Sequence, residues 1–330
     1  MSVQATLVIV KPDGIEKGLT TTILNKITEM GLVVTDRVAI RLSRQWVEEL
    51  YDKERHKWHF EYAVEWVSSA PVRLLRVEGE DAVSLVKWSA IGRYPQGIRG
   101  CFAENCIKNV AHASDSAESA ERELTLSESL FRKELERMQA MFTGKTVFAL
   151  TGMSECGKST AGMYFDSRGI PRLKIKNLFD RIRAREASDL DLATFVAQQE
   201  SSDKLALWDR FINELLREID AREASAVSIE SLYGDDFARH LKYVIGDALC
   251  LVYIDIPLEL RVIRQMGREN LDSSQEARKM LLHRDEIKAA SGIERIKDFA
   301  DEIIDNSGTM QSLEASLDRL ILNRKLGYLK

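Results

Sequence analysis

Two short stretches carry residues of the types, and at the spacing, that move phosphoryl groups. One runs from Asn109 to Glu123 around His112, Asn-Val-Ala-His-Ala-Ser-Asp-Ser-Ala-Glu-Ser-Ala-Glu-Arg-Glu. A neutral imidazole nitrogen is a good nucleophile near neutral pH, and phosphohistidine is labile enough to pass its phosphate on. Such a histidine needs an orienter on its other ring nitrogen, cations for the phosphates and a shaped nucleotide site. A lone histidine proves none of these, but here Asn109, Ser114, Asp115, Glu118 and Glu123 crowd around it. The other stretch, Gly152 to Thr160, reads Gly-Met-Ser-Glu-Cys-Gly-Lys-Ser-Thr and fits Gly-x-x-x-x-Gly-Lys-Ser. Its chemistry is that of backbone amides turned around phosphate oxygens at the positive end of a helix. Gly152 and Gly157 permit backbone angles closed to other residues. Lys158 would reach the β- and γ-phosphates of a nucleotide, and Ser159 would ligate Mg²⁺.

Further groups belong with the second stretch. A carboxylate that holds Mg²⁺ or acts as a base commonly ends a neighbouring strand. Glu230 and Asp255 both end apolar runs, and Glu230 is preferred. Arg261, Arg264 and Arg268 share one face of a helical pattern, where arginines could close on a transferring phosphoryl group. The segment GRENLDSS that follows reads as a mobile cover. The alternative is a helix bearing ordinary surface arginines.

These stretches need strands and helices to hold them. The first half predicts strands at 5–10, 32–42 and 71–77, with helices at 20–30, 46–53, 60–68 and 81–89. The order permits antiparallel pairing, so an α+β sandwich with helices on one sheet face is expected. Residues 118–141 are charged and helix-prone, without Pro or Gly, and read as a solvated connecting helix. The domain boundary falls there, giving domains 1–138 and 139–330. The second half predicts strands at 146–151, 226–230, 249–255 and 302–305, with a helix from Lys158. Their continuous apolar character suggests a parallel sheet covered on both faces. The polar stretches near Ser188 and Ser201 read as turns.

Composition agrees with two globular domains: 330 residues, 45% hydrophobic and 30% charged. A net charge of −5 gives no argument for nucleic acid or an acidic membrane. Four cysteines, with no Cys-x-x-Cys pair, argue against a disulfide framework or a zinc site. The opening MSVQATLVIVKPDG meets Lys11 and Pro12 too early for a membrane span, and reads as a strand rather than a leader. Cytoplasm is the expected compartment.

At this point the first half resembles nucleoside diphosphate kinase. The motifs TLVIVKPDG, SSAPVRLLRVEGEDAV, GIRGCF and NVAHASDSAESAERE occur in that family's order across residues 5–127. The resemblance implies a ferredoxin-like α+β core, ping-pong transfer of a γ-phosphate between nucleotides, and a homo-oligomer built on this domain. It implies His112 as phosphate acceptor, Glu123 as orienter of its ring and Ser114 as support. It places Lys11 and Arg99 on the phosphates, Tyr51 beside the histidine and Asn109 on the ribose and Lys11. Departures stand at His59, where the family stacks an aromatic on the base, and at Lys87, where it has an arginine. Lysine keeps the charge but loses the two-pronged donor fork. The loop IGRYPQ is short, its phosphate-binding threonine has no counterpart, and Arg93 is a substitute cation. The retained groups favour activity, and the altered clamp favours a reduced rate or a changed specificity.

The second half resembles P-loop nucleotide kinases of the adenylate kinase and dephospho-coenzyme A kinase type. It does so through LTGMSECGKSTAGMYFDSRGIP, GRENLDSSQEARKMLLHRDE and DEIIDNSGTMQSL. The resemblance implies an α/β fold, lid arginines at Arg268 and Arg284, and an adenine-side turn at Asn306–Gly308. Where relatives have Asp-Gly-x-Arg, this chain has Glu230-Ser231-Leu232-Tyr233, so the acceptor arginine is missing. Together the halves imply a bifunctional nucleotide kinase using Mg²⁺ and ATP as donor. Two alternatives stay open. The second half could act on dephospho-coenzyme A or another small metabolite, or the chain could be a nucleotide-sensing regulator.

Overall fold

The computed structural model describes residues 3–92, 97–232 and 234–324. They form two compact units, Met1–Glu136 with Gln198–Lys204, and Arg137–Ala197 with Leu205–Lys330.

Unit 1 is built on strands β1 (Val3–Val10), β2 (Val33–Ile40), β3 (Val72–Glu80) and β4 (Ala111–Ala113), in the order β2-β3-β1-β4. Every pairing is antiparallel, which fits the ferredoxin-like expectation. Its helices are α1 (Pro12–Glu16), α2 (Thr20–Thr28), α3 (Arg44–Leu50), α4 (Phe60–Ser69), α5 (Ala82–Ser84), α6 (Gly97–Phe102) and the start of α7 (Ala117–Ala140). A π-helical turn, Leu85–Ile91, prolongs α5.

Two expectations for this unit are corrected. Helices do not cover one sheet face alone. β1 buries every residue from Thr6 to Val10. Leu7 and Ile9 lie in a cluster with Val47, Val64, Leu124 and Phe131. Strand alternation turns Val8 and Val10 to the other face, which is equally closed. Nor is α7 merely a solvated connector. Ser119, Ala120, Glu123, Leu124, Ser127 and Phe131 are buried at helical spacing, so its first four turns carry a buried stripe beneath the charged surface. The charge density of the sequence hid that stripe.

Unit 2 is a five-stranded parallel sheet of β5 (Thr146–Thr151), β6 (Arg172–Lys174), β7 (Ala226–Glu230), β8 (Leu249–Asp255) and β9 (Glu302–Asp305), ordered β6-β7-β5-β8-β9. Its helices are α8 (Lys158–Ser167), α9 (Ile175–Arg185), α10 (Leu192–Ala221), α11 (Asp235–Ile245), α12 (Leu258–Glu269), α13 (Ser274–Ala290) and α14 (Met310–Asn323). β5 alternates its side chains between two cores. Val147 and Ala149 join Phe179, Phe211 and Phe237 on one face, while Phe148 and Leu150 join Phe165 and Leu317 on the other. Both faces are therefore covered, as continuous apolar strands require.

The stretch around Ser188 is irregular, but Ser201 lies inside α10. Asp191 caps that helix on Thr194 N at 3.1 Å, and Phe195, Leu207, Trp208 and Phe211 anchor it in the core. Tertiary burial outweighs the weak helix propensity of a few polar residues. The segment GRENLDSS, which reads as a mobile cover in the sequence, ends α12 and turns into α13. Asn270 ends α12 in the left-handed region at φ 52°, and Ser273 caps α13 on Glu276 N at 3.3 Å.

Candidate active sites

In unit 1, β4 sets His112 opposite Ile9 on the central strand, and α7 brings Glu123 to it. His112 Nε2 lies 2.8 Å from Glu123 Oε2, and the same oxygen accepts from Ser114 Oγ at 2.8 Å. Burial alone would raise the Glu123 carboxyl. The His112 ring, Ser114 and Arg122 outweigh it and hold the group below the usual carboxylate range. An ionised carboxylate can only accept, so Nε2 carries the ring proton and Nδ1 keeps its lone pair.

Three cations surround this ring, and each is tied to main-chain oxygens of the segment that carries it. Lys11 Nζ donates to Asn109 Oδ1 at 2.7 Å and to Ile107 O at 3.3 Å. Lys87 Nζ donates to Ala113 O at 3.1 Å and pairs with Asp115. Arg99 Nε donates to Ala111 O at 3.0 Å. Burial, then the Arg99 charge, depresses the Lys11 ammonium to about 7. Tyr51 meets His112 edge-on, with ring centroids 5.7 Å apart. Among the described residues its buried hydroxyl has no hydrogen-bond partner, and burial pushes its pKa well above the ordinary phenol range.

The turn that aims this segment comes from Pro12-Asp13-Gly14. Asp13 Oδ2 accepts from Val110 N at 2.8 Å and Asp13 Oδ1 from Trp66 Nε1 at 3.1 Å. A Cβ on Gly14 would stand 2.3 Å from Val110 O, so only glycine allows the approach. Val110 itself sits at φ 64°, a strained setting for a β-branched residue immediately before the active strand.

The groups open on a cavity of about 310 Å³ that His59 also lines. His59 Nε2 is 3.3 Å from Glu54 Oε2, and its ring meets Trp58 edge-on. Glu54 was not singled out from the sequence. Burial would raise its carboxyl, but His59 and Lys57 outweigh that and hold it low. Arg93 lies outside the described residues.

In unit 2 the loop after β5 wraps a cavity of about 950 Å³ lined by Gly157, Lys158, Ser159, Thr160 and Asn306. Gly152 at φ 131° and Gly157 at φ 106° take up the backbone angles that other residues avoid. A Cβ would fall 2.4 Å from Ile254 O at the first and 2.3 Å from Asn306 Nδ2 at the second. Lys158 Nζ donates to Gly152 O at 2.8 Å and to Met153 O at 2.7 Å. Asn306 braces the loop through Cys156 O at 2.8 Å, and Arg264 donates to Asn306 O at 2.8 Å.

Arg268 and Arg284 line the same cavity, and so does Lys288, whose ammonium burial and then Lys158 lower to about 8. Arg261 does not line it. It pairs with buried Asp285, which also accepts from Ser154 N at 3.3 Å. Glu230 is not placed as expected. Both of its oxygens are engaged by Arg172, at 2.7 and 3.0 Å, and it is absent from the cavity wall. A carboxylate this buried requires a charged partner, and the edge strand β6 supplies one. Asp255 pairs instead with Lys297. Lys288, Arg172 and Glu155 were missed because their partners lie far along the chain.

Among the described residues no cluster of three His, Cys, Asp or Glu side chains could hold a metal, and no helix is long and apolar enough to cross a membrane.

An antiparallel α+β sheet that sets an oriented histidine beside three cations fits a nucleotide phosphotransferase. The sequence model of the nucleoside diphosphate kinase family matches residues 4–134. The nucleoside diphosphate kinase of Saccharolobus islandicus (strain L.S.2.15 / Lassen #1) is 38% identical over 132 residues, which is 38% of this chain and 95% of that protein. That of Exiguobacterium sibiricum is 39% identical over 129 residues, 37% of this chain and 93% of its own length. A crystal structure of the Aquifex aeolicus nucleoside diphosphate kinase aligns at 34% identity and a TM-score of 0.36, over 38% of this chain and 94% of that one. Through residues 4–134 the chain belongs to the nucleoside diphosphate kinase family.

Proposed function

We propose that His112 of unit 1 carries a phosphoryl group from a nucleoside triphosphate to a nucleoside diphosphate. In the same reading, unit 2 uses ATP bound at the Gly152–Thr160 loop to phosphorylate a nucleoside monophosphate or similar acceptor. The observation that carries the first half is the Ser114–Glu123–His112 chain, which leaves Nδ1 as the only ring nitrogen with a lone pair. Nδ1 attacks the γ-phosphorus, the bond from that phosphorus to the β–γ bridging oxygen breaks, and the diphosphate leaves with the bond's electrons. The second diphosphate attacks the phosphohistidine through a terminal oxygen, and the ring is restored. Glu123 holds the Nε2 proton throughout and stabilises the charge that develops on the ring. Lys11, Lys87 and Arg99 neutralise the phosphates, Asn109 positions Lys11, and the partnerless Tyr51 hydroxyl is available to a phosphate oxygen. His59 lies where a base would meet the cavity wall.

Mg²⁺ would enter on the nucleotide's phosphates, where it would supply charge neutralisation. In unit 2 the Ser159 hydroxyl is the group available to it. Lys158, Arg268 and Arg284 would take the phosphates, and Asn306 would shape the base side. Self-association through unit 1 belongs to the same reading.

Incubation with γ-labelled ATP is expected to give an acid-labile, base-stable phosphoprotein that His112→Ala abolishes. An unlabelled wild-type protein removes the histidine mechanism. The His112→Ala protein, given nucleoside monophosphates and dephospho-coenzyme A, isolates unit 2. Tight ATP binding with no transfer to any acceptor would leave unit 2 a nucleotide-binding module.

A further inference from the structure

The phosphate loop of unit 2 contains an acid where an anion must bind. Glu155 stands in the middle of Gly152–Thr160 and lines the cavity with Lys158. Its backbone adopts φ 60°, a left-handed setting that favours glycine. Its carboxylate is nearly buried and meets Arg268 NH1 at 2.5 Å and Arg284 NH1 at 3.8 Å, while Glu269, at the end of α12, lies 3.6 Å from each of the same arginines outside the loop. Both arginines reach Glu155 from the α12–α13 hairpin. Arg264, one turn before Arg268, donates to Cys156 O at 3.3 Å, so the hairpin grips the loop at two adjacent residues. A side chain kept at a strained backbone position, and spent on the two cations that face the cavity, has a consequence for any phosphate that enters.

We propose that Glu155 is an internal competitor for nucleotide phosphate: it holds Arg268 and Arg284 as phosphate would, and a triphosphate must displace it to take them. This rests on the reading of the loop as a nucleotide site. The arginines stay aimed inward by the pair, while part of the nucleotide's attraction is cancelled. Glu155 is a positioning residue for the two arginines and sets how strongly the loop discriminates between highly and weakly charged nucleotides. The more charge a ligand carries, the more it loses to the carboxylate, because competition for a cation is Coulombic.

The test is ATP and AMP binding to the full chain, with the loop site defined as the ATP binding that Lys158→Ala removes. Glu155→Gln removes the charge and keeps the backbone strain. It is expected to tighten ATP at that site by about twofold to fivefold, as loss of a competing, partly exposed ion pair allows, and to tighten AMP less. The gain is expected to vanish in a chain that also carries Arg268→Ala and Arg284→Ala. Unchanged or weaker ATP binding overturns the proposal, as does the same gain with both arginines gone. Glu155→Gly separates strain from charge: tightening by Gly but not by Gln assigns the effect to the backbone and overturns it too. If Lys158→Ala removes no ATP binding from the otherwise unaltered chain, the nucleotide reading of the loop itself fails, and the proposal falls with it.

Discussion

The His112 site and the Lys158 site draw the anchors of their cations from different distances along the chain. Around His112, one segment supplies both the proposed nucleophile and the anchors: Lys11, Lys87 and Arg99 all donate to main-chain oxygens between Ile107 and Ala113. A carbonyl lends direction without cancelling a full charge, although Lys87 also pairs with Asp115 and burial lowers the Lys11 ammonium to about 7. Around Lys158, the lysine also rests on carbonyls, but the arginines are held by the Glu155 carboxylate and come from helices more than a hundred residues downstream. A site assembled from one segment keeps its geometry if that segment keeps its strand. A site assembled from distant helices depends on the ion pairs that dock them.

That contrast is open to attack at Glu123 first. Glu123→Gln keeps the side chain's length but presents either a donor or an acceptor to Nε2, so the imidazole tautomer is no longer fixed. Phosphohistidine formation is expected to fall on the order of 10²–10⁴-fold, by analogy with removing the charge of a histidine-orienting carboxylate. Transfer or ATP binding at the Lys158 loop should be untouched. Rapid-quench measurement of labelled protein reads the first and equilibrium binding the second. An equal loss at both would mean that the two sites do not keep separate geometries.

The ionic docking of unit 2 is tested at Asp285. This residue accepts from Ser154 N and pairs with Arg261, and all three groups are shielded from water. Asp285→Ala strands a buried guanidinium and is expected to cost about 3 kcal/mol of stability. Chemical denaturation of the full chain would locate the loss in one of two transitions. Replacing both partners, Asp285→Leu with Arg261→Met, should recover part of it, because the stranded charge is gone. A single variant as stable as the wild type would show that the hairpin docks without this pair.

How far the sequence disclosed each site follows from the same difference. His112, Ser114 and Glu123 lie within a dozen residues, so local spacing was enough to group them. Lys158 and its glycines were equally visible, being one loop. What escaped was every contact made across the fold. Glu230 looked like a free strand-end acid because Arg172, its partner, sits on a three-residue strand too short to leave a periodic signal. Glu155 carried no signal of its own within the loop, because the arginines that meet it come from α12 and α13. β4 was not anticipated as a strand, since Ala-His-Ala has neither length nor β-branched residues. The one-faced sheet was expected because alternation in β2 is clear, whereas β1 is buried on both sides. Helix α7 shows the converse: its surface charges dominate the composition and its buried stripe decides its position.

Lys11 gives the smallest effect and the finest distinction. Its ammonium titrates near 7 in the folded chain because burial, then Arg99, disfavours the charge. In the unfolded chain it keeps its ordinary value of about 10.4. Between those values the unfolded state binds more protons, so this lysine's contribution to stability rises with pH across that window. Phosphate binding has the opposite dependence, since the bound anion favours the charged form and the free site has lost it. Diphosphate affinity at unit 1 should therefore fall as pH rises from about 7 to 9, by at most about tenfold per unit, with a proton taken up on binding. Calorimetry at pH 8 in two buffers of different ionisation enthalpy measures that proton, in a Lys158→Ala chain so that only unit 1 contributes. Lys11→Arg, charged at every pH in the range, should abolish the uptake. If wild type takes up no proton, the ammonium is already fully charged, and the carbonyls of Ile107–Ala113 hold it more strongly than burial opposes it.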